Sequence, residues 1–114
     1  MKDGKHTNPF GNEFWYKDDI LHREDGPAVT FSNGDEEWWS YGRLHRLGGP
    51  ALIYNDGEKY WYRFGKQHRE DGPAVIYSNG EKLFFYNGHL MTFQNWFKTT
   101  TNEGRISFLF SGDL

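Results

Sequence analysis

The sequence predicts an all-β fold: an elongated, curved antiparallel sheet of about four 23-residue β-hairpin repeats, closed by a short C-terminal capping helix and strand. Three observations carry this expectation. The phrase HREDGPAV begins at His22 and again at His68, and a worn copy, HRLGGPAL, begins at His45. Glycines at Gly11, Gly34, Gly57 and Gly80 keep the same interval, and a fixed period without insertions marks a repeat array. Aromatic residues make up 19% of the 114 residues, so a few large rings compensate for a hydrophobic content of only 36%.

The order along the chain follows from this period. Residues 28–32 are rich in β-formers and are followed by Asn33-Gly34, a dipeptide favoured in type I′ hairpin turns. A second strand over 36–40 carries Trp38 and Trp39. A two-residue turn places Val29 opposite Trp38 and Phe31 opposite Glu36, and likewise Leu52 opposite Trp61 and Val75 opposite Phe84. Trp15, Trp38, Trp61 and Phe84 form one aromatic column, and Tyr16, Trp39, Tyr62 and Phe85 form its neighbour on the other side of the pleat. The repeated phrase is the connection between hairpins, with Gly26 supplying an unusual φ, Pro27 stiffness and Ala28 close backbone approach. After Leu90 the period stops. Phe93, Trp96 and Phe97 have helical spacing behind Thr92 as N-cap, and residues 105–110 read as a closing strand. The chain is therefore expected to be one domain over 1–114, with repeats over 11–90 and a cap over 91–114.

Bulk chemistry narrows the function. A net charge of -3 gives no basic footprint for duplex nucleic acid or for an anionic membrane. There is no cysteine, and no apolar run long enough for a signal peptide or a membrane span, so a soluble cytoplasmic protein is expected. His22, His45 and His68 recur two strands apart, roughly 10 Å, too far to share one metal ion. Each is expected to hydrogen-bond a turn backbone instead, and no metal or cofactor is expected. Glu24-Asp25 and Glu70-Asp71 are sequence neighbours replaced by Leu47-Gly48 in the middle copy, which suits a structural role better than acid–base work: Asp25 and Asp71 are expected to accept from loop amides or to pair with Arg23 and Arg69. No glycine-rich phosphate loop or nucleophile context is present, so an enzyme is not expected.

The stretch Tyr62-Arg-Phe-Gly-Lys-Gln-His68, with Gly72, Tyr77 and Asn79-Gly80, resembles the MORN repeat, a β-hairpin unit of similar length with an aromatic, a Gly-Lys-x-His element and an Asn-Gly turn. The likeness covers roughly residues 11–90 and is closest to a divergent type built on HRxDGPA, as in bacterial antitoxin-like and phage or viral proteins. The resemblance implies a sheet used as an interaction surface, with no catalytic residues. It also implies the setting: an antitoxin-like or phage-encoded inhibitor acting in the bacterial or host-cell cytoplasm.

The aromatic and Arg-rich middle of the array is the candidate protein-binding site: Trp39, Tyr41, Arg43, Arg46, Tyr62, Arg63, Phe64, Lys66 and Arg69. The function expected is a non-enzymatic protein-interaction module. The alternative is a ligand-binding module that stacks single-stranded nucleic acid, a sugar or another small molecule on the aromatic face. Homodimerisation through an uncovered sheet edge or face is also left open.

Overall fold

A computed structural model describes residues 1–111. The expected cap over 91–114 thus has its last three residues outside the described part. The chain is mostly open antiparallel β-sheet with two short helices at its C-terminal end, in a body of 46 × 28 × 21 Å. Its strands are β1 (Gly4–Thr7), β2 (Glu13–Lys17), β3 (Ile20–Leu21), β4 (Val29–Thr30), β5 (Glu36–Glu37), β6 (Trp39–Ser40) and β7 (Arg43–Leu44). They continue as β8 (Leu52–Ile53), β9 (Lys59–Tyr60), β10 (Tyr62–Arg63), β11 (Lys66–Gln67), β12 (Val75–Ile76), β13 (Lys82–Tyr86) and β14 (His89–Met91). The helices are α1 (Phe93–Thr99) and α2 (Asn102–Phe110).

The main sheet runs β1-β2-β4-β5-β8-β9-β12-β13-β14, with β3 against β2. Beside it lie two separate two-stranded ladders, β6–β7 and β10–β11, so the chain is not one uniform ribbon. The cause is a change of partner at the tryptophan column. The Trp38 amide donates to Ala51 while its carbonyl accepts from the His45 amide, and Trp15 and Trp61 repeat both bonds. Residues before each tryptophan pair with the following copy, and residues after it pair with a short third strand that the sequence did not announce.

The expected hairpin register is off by one. Val29 lies opposite Glu37, Leu52 opposite Tyr60 and Val75 opposite Leu83, not opposite Trp38, Trp61 and Phe84; Thr30, not Phe31, faces Glu36. The physical reason is the turn. Gly34 has φ +97° but Asn33 does not enter the left-handed region, and the Gly34 amide donates to the Phe31 carbonyl. That is a three-residue loop, a type I turn followed by one left-handed glycine, which adds a residue to the expected connection. True two-residue turns occur elsewhere, at Tyr41-Gly42, Phe64-Gly65 and Asn87-Gly88, where both central residues have positive φ.

The core is thin and sits under the repeated phrase. Ala28, Ala51 and Ala74 have no exposed surface, and Val29, Leu52 and Val75 beside them are buried. Each alanine carbonyl receives a tryptophan amide at 2.7 Å, a close approach that a small side chain permits.

The C-terminal cap agrees with expectation in its first half only. Thr92 caps α1, its side chain accepting from the Asn95 amide. Residues 105–110, expected as a strand, are helical. Thr101 accepts from the Gly104 amide as N-cap, Glu103 occupies the first turn, and Gly104 and Phe108, four residues apart, turn the same way into the core. Phe108 then joins Phe84, Phe93 and Trp96 in one aromatic cluster. Trp96 is fully buried and its Nε1 donates to the Arg69 carbonyl, so the cap locks onto the third copy of the phrase.

Candidate functional site

Each phrase is held by its arginine. The guanidinium of Arg23 lies 4.2 Å from the Trp15 ring centre, Arg46 lies 3.7 Å from Trp38, and Arg69 lies 4.0 Å from Trp61. On its other side the guanidinium rests against a glycine. A β-carbon on Gly26, Gly49 or Gly72 would come within 2.7, 2.8 and 2.7 Å of the arginine Cζ. The expectation of an unusual φ at Gly26 is therefore corrected: its φ is not left-handed, and what the position requires is room for the guanidinium. A donor from each arginine also reaches the proline carbonyl four residues on, at 3.0–3.2 Å. Asp25 pairs with Arg23 and Asp71 with Arg69, the second of the two roles the sequence offered them. Stacking between cation and ring adds on the order of 1 kcal/mol per rung.

The histidines hold the next copy along. Nδ1 of His22 accepts from the Tyr41 amide, His45 from Phe64 and His68 from Asn87, at 2.9–3.0 Å. Each acceptor bond reaches across to the following two-residue turn, and each imidazole packs against a ring there: His22 on Tyr41, His45 on Phe64 and His68 on Tyr86. With Nδ1 accepting, the neutral ring carries its proton on Nε2. Burial, reinforced by Arg63, pushes the pKa of both His45 and His68 below the usual histidine value; for His68 Glu70 opposes this.

Eight of the nine candidate residues divide between two places. Tyr41, Arg43, Phe64 and Lys66 are exposed on the row of two-residue turns. Tyr41 and Phe64 keep 59% and 62% of their surface open at φ +48° and +49°. The row is continuous, because the Ile20, Arg43 and Lys66 side chains lie over Gly42, Gly65 and Gly88 of the next turn. Lys17, which the sequence did not single out, extends the row: its Nζ is 5.3 Å from the Tyr41 ring centre. The opposite row of turns is polar and satisfied within itself, as where Asn55 bonds both Asp35 and the Asn33 carbonyl.

Arg46, Tyr62, Arg63 and Arg69 instead line a cavity of about 420 Å³ walled by α2 through Thr101 and Glu103. Trp39 belongs to neither group; it is half-buried, with Nε1 donating to Glu37. Arg63 is held by Glu70 at 3.0 Å and Arg69 by Asp71. Arg46 makes no ion pair among the described residues, since Leu47-Gly48 stands where the other copies carry Glu-Asp. Its burial lowers its pKa, with Glu36 opposing. Because Arg23, Arg46 and Arg69 already cover one face of Trp15, Trp38 and Trp61, those faces are closed to stacked bases or sugars. No helix among the described residues is long and apolar enough to cross a membrane.

No protein-family model, no curated protein and no solved structure matches the chain.

Proposed function

We propose that this chain is a non-enzymatic interaction module that docks a protein partner along the ridge of Tyr41, Arg43, Phe64 and Lys66. The observation that carries the reading is the backbone of that ridge. Type I′ turns favour Asn-Gly, which the last turn has at Asn87-Gly88, yet the two central turns hold bulky rings in the left-handed region with most of their surface open. Such a conformation costs on the order of 1 kcal/mol for a residue with a Cβ, and conformations of this kind cluster at functional positions. Exposed rings with interleaved cations are the composition of binding hot spots, and Lys17, Arg43 and Lys66 favour an acidic partner surface.

On this reading about four MORN-like repeats of 23 residues act as a rigid frame that spaces the rings. The setting that the resemblance supports is an antitoxin-like or phage-encoded inhibitor of a cytoplasmic protein. A photoreactive amino acid at position 64 tests the reading in the cells that carry the protein, with position 79 on the opposite turn row as control. A protein adduct from position 64 and none from 79 is expected. Equal adducts from both, or none from 64, would overturn the reading.

A further inference from the structure

The middle copy of the phrase differs from its neighbours in what it lacks, and the lack is chemically specific. In the first and third copies, Asp25 and Asp71 neutralise the stacked arginine, at 3.1 and 2.8 Å. Glu24 and Glu70 stand 3.6 and 3.7 Å from Nε2 of His22 and His68. Leu47-Gly48 removes both carboxylates from the middle rung.

Among the described residues Arg46 therefore makes no ion pair, and it lines two clefts. One is the cavity of about 420 Å³ under α2, and the other, of about 240 Å³, is lined by Arg23, Glu24, Trp38, Ser40, His45 and Leu47. Each cleft is lined by a residue whose buried N–H has no acceptor among the described residues. His68 is 5% exposed and lines the larger cavity; its Nδ1 already accepts, so its Nε2 proton is a donor, and Glu70 at 3.7 Å is beyond hydrogen-bond reach. Trp38 lines the smaller cleft, and its Nε1 is likewise unpartnered. Buried polar groups without partners are costly, on the order of 1–3 kcal/mol each, which makes them markers of something that completes them.

A guanidinium lacking its carboxylate and, in the smaller cleft beside it, a Trp38 N–H lacking an acceptor ask for the same chemistry. We propose that the groove centred on Arg46 binds a small oxyanion, a carboxylate or phosphate group, in the place that the missing Asp side chain vacates. The guanidinium is fixed by Trp38, Gly49 and the Pro50 carbonyl before any ligand arrives, so little ordering is needed on binding. Arg63 and Arg69, held by Glu70 and Asp71, form the flanking walls and keep competing anions weak there. This site is separate from the turn ridge and stands or falls independently of it.

Nitrogen-labelled protein titrated with inorganic phosphate and with acetate, against chloride at equal ionic strength, tests the proposal. Saturable shifts at the Trp38 indole N–H and at the Gly48 and Gly49 amides, with phosphate, acetate or both, are expected, and the more effective anion identifies the class. Arg46→Gln should weaken the effect at least tenfold, while Arg43→Gln on the ridge leaves it unchanged. Shifts equal to those in chloride, no saturation, or strongest shifts around Arg23 or Arg69 would overturn the proposal. These wild-type readouts decide the question even if Arg46→Gln fails to fold.

Discussion

The imidazole of His45 accepts the backbone amide of Phe64 at 2.9 Å while its ring stacks on the Phe64 ring, centre to centre 4.3 Å. One residue thus holds the amide and the ring of a bulky neighbour in a backbone region that such residues avoid. The same clamp joins His22 to Tyr41 and, with a cheaper turn residue, His68 to Asn87.

Replacing Phe64 by Asn should separate structure from function. The substitution relieves about 1 kcal/mol of left-handed strain and forfeits a ring contact of ~0.5–1.5 kcal/mol, so the two nearly cancel. Urea unfolding should give a stability within about 1 kcal/mol of the parent. A loss above ~3 kcal/mol would mean that the ring is a core element.

The same clamp predicts acid sensitivity. Burial holds His45 and His68 below the ordinary histidine pKa of 6.5, so in the window just below 6.5 the unfolded chain binds more protons than the folded one. Stability should be flat above that value and fall as pH drops through the window, by at most about 1.4 kcal/mol per pH unit for each histidine. His45→Gln with His68→Gln should flatten this leg of a urea-midpoint profile. Stability that rises on acidification from 6.5 would contradict the accepting role of Nδ1.

Trp96 closes the array where a further arginine rung would stand, packing 4.8 Å from Phe84 and bonding the Arg69 carbonyl. Trp96→Ala should cost ~3–5 kcal/mol by cavity formation and the orphaned carbonyl. Trp96→Phe should cost only about 1–2 kcal/mol, and chemical unfolding distinguishes the two.

Gly104 gives a prediction of opposite sign from helix propensity. Alanine is better than glycine in a helix by about 1 kcal/mol. Here its Cβ would lie 1.9 Å from the Glu70 carbonyl oxygen, a backbone atom that cannot step aside. Gly104→Ala should therefore destabilise by ~1–3 kcal/mol, and a gain in stability would show that α2 does not seat on the third phrase.

The residues differ in how much of this their sequence discloses. The period, the antiparallel sheet and the Thr92 cap follow from local patterns, and the structure has each of them. The hairpin register was not legible, because Asn-Gly serves a type I turn with a left-handed glycine as readily as a type I′ turn. Tyr41-Gly42 and Phe64-Gly65 were hidden for the converse reason: rings are poor residues for a type I′ turn, and only histidines nineteen positions upstream hold them there. Residues 105–110 alternate well enough for a strand, and the aromatic cluster around Trp96 decides for helix. Among the candidate site residues, sequence spacing brought the cations together but could not show that Arg46, Arg63 and Arg69 face a cavity while Arg43 and Lys66 face solvent.

The most direct measurement of the central claim compares the parent with the double variant Tyr41→Asn/Phe64→Asn, once the protein crosslinked at position 64 is in hand, by calorimetric affinity and unfolding midpoint on the same samples. The account predicts at least a tenfold weaker complex with an unfolding free energy within about 1–2 kcal/mol of the parent. An unchanged affinity in a folded double variant would contradict it.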